Sequence, residues 1–126
     1  MILETTFLVD LERELSASGD GPAHRFLGAH SSEGMHITFT IAGELAAGGG
    51  GRDRWERFIA PFPVLEATRE VCWRYGELHR YLRTNGLLIG TNDLWIAATA
   101  LAHDLPVVTR NVREFQRVPG LSVLGY

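Results

Sequence analysis

The chain contains no lysine; all 12 of its basic residues are arginine. It has one cysteine, Cys72, so no internal disulfide can form, and a reducing, cytoplasmic setting is the simplest reading. No apolar run reaches the roughly 18 residues that suggest a membrane span. The N-terminus carries the acids Glu4 and Asp10 and lacks a basic leader, which argues against a secretory signal. Without lysine there is no Gly-x-x-x-x-Gly-Lys phosphate loop, and the glycine run Gly48 to Gly51 is not one.

What is present suits one compact domain, residues 1–126, with 45% hydrophobic and 21% charged residues. The net charge of −3 is unevenly spread. Residues 1–50 hold 2 Arg and 7 acids, net −5; residues 51–126 hold 10 Arg and 8 acids, net +2. That balance does not announce a nucleic-acid binder but permits one with a local arginine face, because the guanidinium fork suits phosphate or carboxylate. Compositional bias explains the missing lysine equally well.

Short apolar runs alternate with helical patterns. Met1 to Leu3, His36 to Phe39, Val64-Leu65, Pro106 to Val108 and Leu121 to Leu124 read as strands. Phe7, Leu8, Leu11 and Leu15 recur at helical spacing, and Asp10, Glu12 and Glu14 between them read as a solvated face. Further helices are expected over 23–30, from a Thr40 cap through Ala47, over 52–59 and 68–83, over the almost wholly apolar 92–103, and over 112–116. Gly48 to Gly51 reads as a flexible break. Alternating strands and helices with apolar strands imply an α/β fold, a mostly parallel central sheet covered on both faces in three α/β/α layers.

Against this background stand isolated acids in apolar or small-residue settings: Glu4 after Met1-Ile2-Leu3, Glu44 within Ile41 to Ala47, and Asp93 before Leu94 to Ala102. Asn111, with Glu114 a turn later, follows the strand that ends at Val108. Sites in open parallel sheets form beyond the carboxyl ends of the strands, so all of these can face one crevice. Carboxylates so close repel each other unless a cation sits among them, and hard oxygen donors favour Mg²⁺ or Mn²⁺. Each residue also has an ordinary reading. Asp93 can serve the positive end of its helix, Glu44 can point to solvent, and Asn111-x-x-Glu114 fits a reciprocal N-cap. Thr5, Thr6 and Thr109 can be cap residues or can orient a carboxylate. The five histidines show no metal-ligand spacing, and Trp73, Tyr75 and Tyr81 read as core or subunit contact rather than base-stacking platforms.

At these residues the chain resembles the PIN-domain nucleases, in particular the VapC-like toxins of bacterial toxin–antitoxin pairs. Ile2-Leu3-Glu4-Thr5-Thr6-Phe7-Leu8-Val9-Asp10-Leu11 is similar to the family's first motif, Thr38 to Leu45 to its second, Ile89-Gly90-Thr91-Asn92-Asp93-Leu94-Trp95-Ile96-Ala97-Ala98 to its third, and Val107 to Phe115 to its fourth. The motifs span nearly the whole chain in order. The resemblance implies an Mg²⁺-dependent endoribonuclease (Mn²⁺ serving as well) that leaves 5′-phosphate and 3′-hydroxyl ends. Glu4, Glu44 and Asp93 would be the acidic metal ligands, Glu114 would supply or reinforce a fourth acid, and Thr109 and Asn111 would orient water or a carboxylate. It also implies an RNA substrate, a small antitoxin partner and a homodimer. Arg110 and Arg113 are candidates to contact the RNA backbone.

Two positions depart from the family pattern. Relatives typically carry Asp where this chain has Glu4, and many carry Asp at Asn111. The extra C–C bond of Glu adds about 1.5 Å of reach. These departures leave open a second reading, a catalytically weak or inactive PIN-like module that binds an antitoxin or RNA. Other Mg²⁺-dependent α/β phosphotransfer enzymes fit poorly: a receiver domain needs a lysine, and Glu4-Thr5-Thr6 is not the Asp-x-Asp of a haloacid-type phosphatase.

Overall fold

The computed structural model describes residues 1–126. Strands and helices alternate as the apolar pattern requires: β1 (Ile2–Leu3), α1 (Thr5–Ala17), α2 (Pro22–Ala29), β2 (Ile37–Thr38), α3 (Phe39–Ala47), α4 (Arg52–Ile59), β3 (Val64–Leu65), α5 (Arg69–Thr84), α6 (Thr91–His103), β4 (Val107–Val108), α7 (Val112–Phe115) and β5 (Val123–Leu124). All strand pairings are parallel, β1 with β4, β4 with β5, and β2 with β3. A parallel bridge between Ile2 and His36 joins the two pieces into the order β3-β2-β1-β4-β5. The seam is closed by the Leu3 N–H donating to His36 O (2.9 Å) and the His36 N–H to Met1 O (2.9 Å).

The strands are only two residues long, yet neighbouring residues on them point to opposite faces. Ile2 and Leu3 are both fully buried, as are Val107 and Val108. Both faces of the sheet are therefore covered, giving the three-layer α/β/α arrangement. Phe7, Leu8 and Leu11 anchor α1 in the core; complete burial of such a side chain contributes about 1.5–3 kcal/mol. Val71, Leu78 and Leu82 do the same for α5, which packs along α6. Tyr75 of α5 stacks on Trp95 of α6, ring centroids 3.9 Å apart. Trp73 and Tyr81 lie outside the core, both exposed, and Arg80 lies over the Trp73 ring. No helix is long and apolar enough to cross a membrane.

Two local expectations are corrected, the cap of α3 and the acids of α1. The cap of α3 is Thr38, whose hydroxyl accepts the Ile41 N–H (3.2 Å); Thr40 already lies inside the helix. The glycine run forms the corner between α3 and α4. Gly49, Gly50 and Gly51 hold φ of 89°, 91° and 82°, a region closed to most side chains, and the corner lets Trp55 of α4 donate to Ala42 O of α3 (2.9 Å). The acids of α1 are not a solvated face. Asp10 is buried at 9% exposure. Glu14 reaches across to the start of α2, where its carboxylate accepts the N–H groups of Ala23 (3.1 Å) and His24 (2.9 Å).

Gly21 makes that cap possible, because a Cβ there would stand 2.3 Å from the Glu14 carboxyl carbon. The carboxylate would swing away rather than the backbone move. Gly21→Ala and Glu14→Ala are each expected to cost about 1 kcal/mol, the usual worth of a helix N-cap. The double variant is expected to cost clearly less than their sum, since both remove one interaction. Urea unfolding of the three variants measures this, and full additivity would refute the shared cap.

Candidate functional site

The order β3-β2-β1-β4-β5 places a topological switch between β1 and β4, where a crevice opens beyond the carboxyl ends of the strands. Glu4 is the first residue past β1 and Thr109 the first past β4. Glu4 is 3% exposed and Thr109 is fully buried. A carboxylate so deep must be compensated. Three donors converge on its Oε2: the Thr6 hydroxyl (2.6 Å), the Thr109 hydroxyl (2.8 Å) and the Thr6 backbone N–H (3.1 Å). Glu4 is thus also the N-cap of α1. The added reach of Glu over Asp is taken up by this fold-back onto the helix end.

The two hydroxyls are themselves oriented. Thr6 Oγ1 accepts the Arg110 N–H (3.0 Å) and Thr109 Oγ1 accepts the Asn111 N–H (3.0 Å). Each hydroxyl proton is therefore turned toward Glu4, and a donor that also accepts is a stronger donor. Glu44, one turn and a half into α3 and half-buried, is held the same way: the Thr5 hydroxyl donates to its Oε1 (2.8 Å).

Asp93 stands in the first turn of α6. The positive end of a helix lowers a carboxylate's pKa, by 0.3–1 kcal/mol in typical cases, yet here the shift is upward. Burial first, then the hydrogen bond and charge of Glu114, then the charges of Glu4 and Glu44, push the Asp93 carboxyl from 3.8 to about 7. Repulsion and desolvation outweigh the dipole. Glu4, Glu44, Asp93 and Glu114 consequently share one electrostatic neighbourhood, although they are far apart in sequence. No three His, Cys, Asp or Glu side chains are gathered tightly enough to enclose an ion as they stand.

Asn111 departs from the expected cap. It occupies the position before α7, but its backbone (φ −87°, ψ 51°) is not the extended form of an N-cap and its side chain makes no capping bond. Its side chain is exposed, while its N–H serves Thr109. Glu114, freed from capping, turns to Asp93. Arg110 is also engaged, donating through Nη1 to both oxygens of Asp10 (2.9 and 3.1 Å), whereas Arg113 remains exposed in an open concavity with Asn111, Glu114 and Arg117. On the other side of the acids, a cleft of about 310 Å³ runs past Thr5 and Glu44 between Val9, Leu45, Trp55 and Phe58.

Sequence reasoning missed Asp10 and Tyr126. The Tyr126 hydroxyl donates to Asp10 Oδ2 (2.5 Å), and its ring meets Phe7 edge-on at 4.8 Å. For Asp10 a signal existed, since it lies three residues after Phe7 and so on the core-facing side of α1. For Tyr126 there was none.

A parallel sheet with carboxylates gathered at its switch point, two of them held by threonines, defines an α/β protein with an acidic crevice beyond the carboxyl ends of its strands. The PIN domain model matches residues 1–121, and the chain belongs to that family. Ribonuclease VapC1 of Haemophilus influenzae strain R2866 is 35% identical over 93 residues, covering 68% of this chain and 69% of that protein. Ribonuclease VapC2 of Rickettsia felis is 39% identical over 64 residues, 51% of this chain, and the match spans only 48% of its length. Among solved structures, the crystal structure of VapBC2 from Rickettsia felis bound to a DNA fragment from its promoter superposes with a TM-score of 0.83 at 25% identity, covering 99% of this chain and 97% of that one.

Because the Asp93 carboxyl is raised on folding to about 7, the folded chain binds a proton more tightly than the unfolded one. Its contribution to stability is complete below about pH 4 and is lost as pH rises toward 7. The metal-free protein is expected to melt at lower temperature as pH rises through this window, and Asp93→Asn to flatten that dependence. Identical pH profiles for the two proteins would contradict the geometry of the cluster.

Proposed function

We propose that the chain is a divalent-metal-dependent endoribonuclease of the VapC kind, the toxin component of a type II toxin–antitoxin pair. The observation that carries this reading is the carboxylate neighbourhood at the switch point, where burial first and then the nearby Glu114, Glu4 and Glu44 push the Asp93 carboxyl up to about 7. The donor set fits Mg²⁺ or Mn²⁺: all its atoms are hard oxygens, Mg²⁺ takes one or two carboxylates and keeps several waters, and a cation relieves the repulsion. Glu4, through its second oxygen, Glu44 and Asp93 would hold the ion, with Glu114 reinforcing them. When bound, the ion supplies a water of lowered pKa and charge to offset a developing oxyanion.

The chain's own residues account for the rest. Thr6 and Thr109 fix Glu4, and Thr5 fixes Glu44. A group misplaced by an ångström can cost about 10²-fold in rate. Asn111 stands at the mouth, where it can orient water or substrate, and Arg113 offers a free guanidinium for an RNA phosphate. The products would be a 5′-phosphate and a 3′-hydroxyl.

The relatives named above are ribonucleases, and the solved neighbour is a toxin–antitoxin complex; both support a small antitoxin as partner. The cleft beside Glu44, with Trp55 and Phe58 in its wall, is the place we assign to an antitoxin segment. We also infer a homodimer acting in the reducing cytoplasm, the homodimer from the family and the compartment from a lone, exposed Cys72. The departures at Glu4 and Asn111 favour one rival, a PIN module that binds antitoxin or RNA and cuts poorly.

Purified protein incubated with RNA and Mg²⁺ or Mn²⁺ is expected to cut it, and EDTA to stop the cutting. Asp93→Asn is expected to lower the rate by at least about 10²-fold with the fold retained by circular dichroism. Undiminished cleavage by that variant would refute the assignment. Mn²⁺ calorimetry separates the rival, which predicts weak binding or none.

A further inference from the structure

Asp10 is the most heavily bonded charge outside the acid cluster. It lies on α1, 9% exposed, and receives Arg110 Nη1 on both oxygens, the Tyr126 hydroxyl, and Arg13 at 3.3 Å. The proposed chemistry uses none of this. Arg110 belongs to the segment after β4 whose backbone N–H groups orient the two hydroxyls on Glu4. One residue thus ties that segment to α1 twice: its N–H to Thr6 and its guanidinium to Asp10, one turn further along the helix. Tyr126, just past β5, closes the bracket with its hydroxyl on Asp10.

We propose that Asp10, Arg110 and Tyr126 form a positioning clamp for the candidate site, fixing the 109–111 segment against α1 so that Thr6 and Thr109 keep their protons on Glu4. Arg110 is then a positioning residue and not an RNA contact. An exposed ion pair would be worth little; here the Arg110 side chain is 56% exposed, but the Asp10 side chain is only 12% exposed and is held by both a guanidinium and a phenol, which fixes it in one place. If the clamp opens, the segment can slide along α1. The Glu4 carboxylate loses two of its three donors while remaining buried, and ligand-orienting bonds of this kind typically change metal affinity or activity by about 10–100-fold.

This inference rests on the nuclease reading, and the test separates the two. Arg110→Ala, Arg110→Lys and Tyr126→Phe are compared with wild type in three measurements: Mn²⁺ affinity by calorimetry, kcat and KM on a single-stranded RNA, and the melting temperature. Arg110→Ala and Tyr126→Phe are expected to weaken Mn²⁺ binding and lower kcat, each by about tenfold or more, at unchanged KM; Arg110→Lys restores much of both. A raised KM with unaltered kcat and Mn²⁺ affinity would make Arg110 a substrate contact and overturn the clamp. So would Mn²⁺ affinity unchanged in a folded Tyr126→Phe protein, the variant that preserves the ring on Phe7 should Arg110→Ala fail to fold. A wild-type protein that binds Mn²⁺ but leaves RNA intact defeats the nuclease reading alone, and the Mn²⁺ affinities still decide on the clamp.

Discussion

The buried carboxylate of Glu4 is the constraint around which the crevice is organised. Left alone in a 3%-exposed position, its charge would cost several kcal/mol. The chain meets that cost with two threonine hydroxyls and a helix N–H on a single oxygen. Those donors come from both sides of the switch point, one strand end at residue 4 and another at residue 109. Satisfying one acid therefore stitches β1, α1 and β4 together and leaves the acid's second oxygen free.

Two kinds of polar group meet at the same end of the sheet, and their energetics oppose each other. Glu4 and Glu44 are satisfied by hydroxyls. Asp93 has no such donor, and burial together with the neighbouring Glu114, Glu4 and Glu44 pushes its pKa to about 7. The crevice therefore combines acids that are fully compensated with one that is held against its ordinary ionisation.

Much of this was legible in the sequence, for identifiable reasons. Strands appeared as apolar runs because both faces of the sheet are buried, and α6 as an unbroken apolar stretch because helices and sheet surround it. Glu4, Glu44 and Asp93 stood out because an acid in an apolar run is rare without compensation. What stayed hidden depended on tertiary partners. Asp10 resembled any acid on an amphipathic helix until Arg110 and Tyr126 arrived from positions a hundred or more residues away. Asn111-x-x-Glu114 looked like a cap because local spacing favours one; the pull of Asp93 on Glu114 is a long-range effect that spacing cannot reveal. Thr40 and Thr38 both stood before the same helix, and only the turn geometry selects between them.

The register of the central strands carries a final consequence. Ile2 pairs with Val107 and Leu3 with Val108, so the sheet's middle ladder joins segments separated by most of the polypeptide. Such non-local pairing is slow to form and cannot begin until the later partner has been synthesised. On a translating ribosome, Glu4 emerges early but waits for Thr109 before its carboxylate acquires a full set of donors. The crevice is consequently among the last features to mature, and a nascent or truncated chain lacking β4 has no means of assembling it.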